Sequence, residues 1–134
     1  MYAQQSARGA AIYQRTAVQC GTPLELVVKL YDAAITNLAK ARESLATGDL
    51  RAKRDGISRA LAIVAELQSS LDMKAGGQMA DSLDSLYTYV TGRIIEFNVK
   101  RDVKAIDEAH RLLSTLRDGW EQIASGRPGP QATR

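Results

Sequence analysis

Residues 102–124 read DVKAIDEAHRLLSTLRDGWEQIA, and the spacing of their apolar residues decides the fold. Those residues recur at alternating steps of three and four along the chain. They are Ile106, Ala109, Leu113, Leu116, Trp120 and Ile123. This spacing is typical of a helix that faces other helices along a bundle seam. The stretch therefore predicts an amphipathic helix, with Asp102 as its N-cap.

A capping pattern predicts where the first helix begins. Thr22 is followed by Pro23 at the first helical position and by Glu25 three residues after the cap. The apolar stripe that follows consists of Leu24, Val27, Val28, Tyr31, Ile35, Leu38 and Leu45. Gly48 predicts a left-handed helix end, and Asp49 predicts the N-cap of the next helix.

Two further stripes with helical spacing lie between these segments. The second consists of Ile57, Ala60, Leu61, Val64, Leu67 and Leu71. The third consists of Met79, Leu83, Leu86, Tyr87, Val90, Ile94 and Phe97, and residues 98–101 are expected to end it. Four helices of matched length with short connections predict an all-α protein, an antiparallel up-down-up-down four-helix bundle over residues 21–124. A partly ordered N-terminal arm, residues 1–20, is expected before it and a disordered tail, residues 125–134, after it.

Composition restricts the protein class. The chain has 134 residues, 45% of them hydrophobic, which suits a single domain. No apolar run approaches the roughly 18 residues of a membrane span, and the N-terminus lacks the pattern of a secretory signal. With one cysteine, Cys20, an internal disulfide is excluded. We therefore expect a cytoplasmic protein without membrane insertion.

The net charge of +3 does not indicate nucleic-acid binding. All 15 acidic residues and 14 of the 18 basic residues lie between positions 21 and 124, which gives that stretch a net charge of −1. The local cluster of Arg51, Lys53, Arg54 and Arg59 has no interleaved aromatic residues for base stacking. No nucleic-acid partner is expected.

Gly76 and Gly77 raise the possibility of a phosphate-binding loop, which their surroundings exclude. Lys74 precedes the glycines, whereas a phosphate loop has its lysine and a hydroxyl residue after them. No strand precedes them, as a dinucleotide-binding turn requires. The glycines are therefore predicted to form a turn between helices, and no cofactor is expected.

His110 is the only histidine, and its neighbourhood resembles another kind of helical bundle. The sequence AHRLLS at 109–114 is similar to the phosphorylated segment of histidine phosphotransfer domains. Leu113 and Ser114 replace the lysine and the glycine that serve the phosphoryl group there, and the lysine supplies a charge-assisted contact. No second histidine is present to share a metal. We predict no catalytic residues and no metal site, and phosphotransfer remains an alternative function.

Several apolar residues lie beside the predicted seams. They are Ile63, Ile95, Val99 and Leu112, with Tyr89 flanking the third stripe. Such residues either fill a wide core or line a groove for the helices of another protein. A bundle that only self-associates is the remaining structural alternative.

The chain as a whole resembles the flagellin-specific export chaperone family (FliS). The resemblance rests on the order and spacing of five runs: IYQ at 12–14, PLELVVKLYDAAI at 23–35, SLDMKAGGQMADSLDSLYTYV at 70–90, RIIEFNVKRD at 93–102 and LLSTLRDGW at 112–120. Two positions depart from the family pattern. Ala33 stands at a usual glycine, and Phe97 stands where alanine is frequent, which is expected to reshape the edge of a groove.

The resemblance implies a function that works through the surface. A member of this family binds the disordered C-terminal segment of flagellin in the cytoplasm, prevents premature polymerisation and keeps flagellin competent for type III export. Further partners are implied among flagellar export-gate or regulatory proteins. The resemblance also implies that the N-terminal arm lies over part of the binding surface. The expected flagellin-binding residues are Ile12, Tyr13, Ile63, Tyr89, Ile95, Val99 and Leu112.

Overall fold

Four α-helices connected by short turns make up residues 23–126, the part of the chain that the computed structural model describes. They are α1 (Pro23–Thr47), α2 (Leu50–Ser69), α3 (Met73–Lys100) and α4 (Val103–Ala124). Helix α1 packs against α2 and α4, and α3 packs against the same two helices. The predicted all-α four-helix bundle is confirmed. None of these helices is long and apolar enough to cross a membrane.

Aspartate N-caps set the starts of three helices. Asp49 accepts a hydrogen bond from the amide of Ala52, and Asp102 accepts one from the amide of Lys104, so both predicted caps are confirmed. Gly48 has a φ of 81°, the left-handed conformation that was predicted for it. Thr22 lies outside the described residues, as do residues 1–20 and 127–134.

The glycine pair does not form the turn that was predicted for it. Residues 70–72 make the turn, because Asp72 accepts hydrogen bonds from the amides of Lys74 and Ala75 and starts α3 before the glycines. Gly77, with φ 52° and ψ −130°, instead breaks the helix one turn after its start. Residues with a Cβ atom rarely adopt these angles, whereas glycine adopts them readily. The third helix ends within the predicted residues 98–101, because Lys100 is its last residue and Arg101 takes the left-handed conformation after it.

The core contains most of the predicted stripe residues. Its largest fully buried side chains are Leu30, Tyr31, Leu38, Ile63, Val64, Val90, Ile94, Phe97, Ile106 and Leu113. Met79 and Ile123 were assigned to stripes but are 70% and 57% exposed. Met79 follows the break at Gly77, and Ile123 lies in the last turn of α4, where none of the helices within residues 23–126 covers it. Both assignments are therefore wrong.

A buried hydrogen bond crosses the core between α1 and α3. The hydroxyl groups of Tyr31 and Tyr87 are 2.5 Å apart. Burial raises the pKa of both phenols, so both remain neutral hydroxyl groups that need partners. The pair links two helices that are not neighbours in the bundle.

Tyr31→Phe is expected to lower the free energy of unfolding by about 1 to 3 kcal/mol, because the hydroxyl of Tyr87 loses its buried partner. The double replacement with Tyr87→Phe should cost less than the sum of the two single replacements. Urea unfolding of all four proteins measures this coupling. Additive losses would show that the two hydroxyl groups do not stabilise each other.

The side chain of Lys53, in the first turn of α2, contacts the last turn of α3. This side chain is buried; its Nζ donates to the carbonyl of Asn98 at 3.4 Å and lies 5.4 Å from the centre of the Phe97 ring. This geometry is that of a cation–π contact. Phe97 is itself completely buried, so it fills the core and does not reshape a groove edge as expected.

Candidate functional site

The structure separates the expected binding residues into distinct groups. Ile12 and Tyr13 lie outside the described residues. Ile63 is 1% exposed and belongs to the core, so it does not line a surface groove. The remaining residues lie on α3 and α4 and form two groups.

The first group forms an exposed aliphatic surface on α3. Ile95 and Val99 are 46% and 71% exposed, and their spacing of four places them on one face of the helix. Gly92 precedes them on the same face, and a Cβ atom at that position would meet nothing within 4 Å. We call Gly92, Ile95 and Val99 the α3 outer face. An absent side chain beside two exposed aliphatic ones lets the backbone of another helix approach closely.

The second group lies along the seam between α3 and α4. The hydroxyl of Tyr89 donates to Glu108 at 2.6 Å, and Leu112, one turn after Glu108, packs partly buried against the core. The hydrogen bond from Tyr89 lowers the pKa of Glu108, and it raises the pKa of Tyr89 itself. Arg93 Nε lies 2.7 Å from Glu108 Oε1, so the two side chains form an ion pair. The geometry at this Nε does not meet that of a hydrogen bond. Tyr89 is thus held at the seam, with half of its surface free for a partner.

A groove between α1 and α4 was not predicted from the sequence. It encloses about 390 Å³, with Leu38, Ala39, Ala46 and Ile106 among its lining residues. The ion pair of Arg42 and Asp107, 2.7 Å long, crosses it, and His110 lines it half-buried. The sequence feature that indicates this groove is a pair of alanines on α1, Ala39 and Ala46. They are seven residues apart and therefore lie on one face of the helix. Small residues there leave space between the helices.

These surfaces suit the burial of apolar helix faces. The α3 outer face offers aliphatic contact, and the Tyr89 seam adds an aromatic ring with a polar tip. Such residues anchor protein interfaces. Nothing in either group places a nucleophile beside a base. Both groups are therefore candidates for contact with another chain.

Comparison with known proteins gives a match over nearly the whole sequence. Residues 4–127 match the family described as flagellar protein FliS. The chain is 35% identical over 116 residues to the flagellar secretion chaperone FliS of Salmonella typhimurium, covering 86% of each chain. It is 30% identical to the flagellar secretion chaperone FliSB of Pseudomonas aeruginosa, covering 84% of this chain and 92% of the relative. With the FliS of Escherichia coli the identity is 27%, and 91% of each chain is covered.

Proposed function

The chain belongs to the FliS family of flagellar proteins, and from this membership we propose that it binds the C-terminal segment of flagellin in the cytoplasm. It is a flagellar secretion chaperone and not an enzyme. Phosphotransfer at His110 and self-association as the only role find no support among relatives that are secretion chaperones. The proposal concerns the identity of the client segment and the surface that binds it.

The observation that carries the proposal is the α3 outer face. Ile95 and Val99 are exposed, although the neighbouring positions of α3 that face the bundle are fully buried. An amphipathic client helix that lays its apolar face on these residues removes both surfaces from water. Tyr89 and Leu112 extend the contact from this face toward α4.

The proposed binding explains how polymerisation is prevented. We propose that the client segment carries apolar helix faces through which flagellin polymerises. A chaperone that covers such a face leaves it unavailable for another flagellin molecule. A disordered client folds on binding and covers a large area at modest affinity, which favours release at the export machinery. Export-gate or regulatory proteins are proposed as the later partners.

Isothermal titration calorimetry with flagellin fragments tests the proposal. The C-terminal fragment of flagellin from the same organism is expected to bind with a negative heat-capacity change, since apolar surface is buried. Flagellin truncated to remove only this segment serves as the control and should not bind. Equal binding of the truncated flagellin would contradict the assignment of the C-terminal segment.

Tyr13→Ala is expected to weaken flagellin binding by about 1 to 2 kcal/mol, because an aromatic anchor is lost from the interface. The helix content measured by circular dichroism should stay unchanged. We propose Ile12 as its neighbour in the same contact. An unchanged or tighter dissociation constant in the titration would remove Tyr13 from the binding site.

A further inference from the structure

Charge is distributed unevenly along the bundle. Residues 49–54 and 100–104, at the end where α2 and α4 begin, contain six basic and two acidic residues. Residues 66–84, around the turn at the opposite end, contain four acidic residues and one basic residue. The two ends of the bundle therefore carry opposite charge, although the net charge of the described part is near zero.

Five of the six cations at the first of these ends have no side-chain partner within the described chain; the sixth, Lys53, contacts Asn98 and Phe97. We call the exposed side chains of Arg51, Arg54, Lys100, Arg101 and Lys104 the basic end. None of the five forms an ion pair or a side-chain hydrogen bond with any residue from 23 to 126, whereas Arg42, Arg93, Arg111 and Arg117 form ion pairs along the sides of the bundle. The carboxylates of Asp49 and Asp102 are occupied as helix caps. The positive electrostatic potential of the basic end therefore extends into the solvent.

The basic end adjoins the α3 outer face. The contact of Lys53 with Asn98 and Phe97 joins the first turn of α2 to the last turn of α3. Val99 follows Asn98 directly. Leu50, which is 50% exposed, lies one turn before Lys53 on α2 and adds another aliphatic side chain there. A segment bound along the α3 outer face in the direction of Val99 therefore reaches the five cations.

We infer that the basic end binds an acidic stretch of the client, next to the apolar stretch that the α3 outer face binds. The inference rests on the proposed function and specifies the chemistry of the client. Five unpaired cations exceed what one terminal carboxylate neutralises, so the ligands are Asp and Glu side chains of the client. The opposite charge of residues 66–84 disfavours the same stretch at the other end and thereby fixes the direction of the client.

Charge reversal at the basic end tests the inference. Arg51 and Arg54 lie in the first turns of α2, where acidic residues suit the helix dipole, so Arg51→Glu/Arg54→Glu should fold normally. The matched control, Lys29→Glu/Lys74→Glu, makes the same change of net charge at exposed positions elsewhere. Titration with the C-terminal flagellin fragment at about 50 mM and about 500 mM salt separates local from general charge effects.

The basic-end variant is expected to bind the fragment about tenfold more weakly than wild type at low salt, with a much smaller difference at high salt. A fragment with its Asp and Glu replaced by Asn and Gln should bind wild type as weakly. A fragment extended at its C-terminus, which moves the terminal carboxylate away from the basic end, should keep its affinity. A loss of affinity would mean that the basic end binds the terminal carboxylate and would overturn the inference.

The outcomes distinguish the inference from the proposed function. If both charge variants lost the same affinity for the fragment, or if neither lost any, the inference would be overturned. The binding of flagellin by the wild-type protein would still stand. If the wild-type protein bound no C-terminal fragment at any salt concentration, the proposed function and the inference would both be wrong.

Discussion

Phe97→Ala is expected to lower the free energy of unfolding by about 3 to 5 kcal/mol, the range for removing a buried aromatic ring. The ring is completely buried in the core near the end of α3. Its removal leaves a cavity and also takes away the aromatic surface below the ammonium group of Lys53. A loss of this size is a large part of the stability of a small domain.

Urea unfolding measures the effect, with Tyr89→Ala as the control. Tyr89 is an aromatic residue on the same helix, but it is half exposed, so its replacement should change stability by less than about 1 kcal/mol. Phe97→Leu, which keeps most of the buried volume, should lie between the two. Equal stability of Phe97→Ala and wild type would mean that the core does not include this position.

Ile95→Gln/Val99→Gln is expected to weaken the binding of the flagellin C-terminal fragment about 30-fold or more. Burial of an aliphatic side chain contributes about 1 kcal/mol or more, and two such losses correspond to at least this factor. Glutamine favours helix and carries no charge, so α3 and the charge balance are preserved. The loss should persist at high salt because the contact is apolar.

Met79→Gln/Ile123→Gln is the matched control for this variant. It also removes two exposed apolar side chains, but they lie away from the α3 outer face. Its affinity for the fragment should equal that of wild type. If both double variants lost the same affinity, the client would be bound by general hydrophobic contact and not by the α3 outer face.

The periodicity of the sequence predicted the four helices and most of the core. The positions of Leu38, Val90, Ile106 and Leu113 follow from the spacing of apolar residues alone, since one face of each helix must be buried. Asp49 and Asp102 were predictable for a similarly local reason: a cap acts on the next few amides of its own helix.

The exposure of residues at the edge of a stripe was not predictable in the same way. Ile63 and Ile95 both lie beside their seams, yet the structure buries the first and exposes the second. Which edge is covered depends on how the neighbouring helix is placed, and a single sequence does not contain that information. The contacts of Lys53 with Asn98 and of Tyr89 with Glu108 join different helices and were missed for the same reason.

The break at Gly77 divides α3 into a short leading turn and the long segment that packs in the bundle. Every residue from 72 to 79 is exposed, so the leading turn buries no side chain of its own. Its amide hydrogens should exchange with solvent by local fraying, at a free energy well below that of global unfolding. A fluorophore or a short inserted tag at Gln78 would therefore report on the chaperone without disturbing its core.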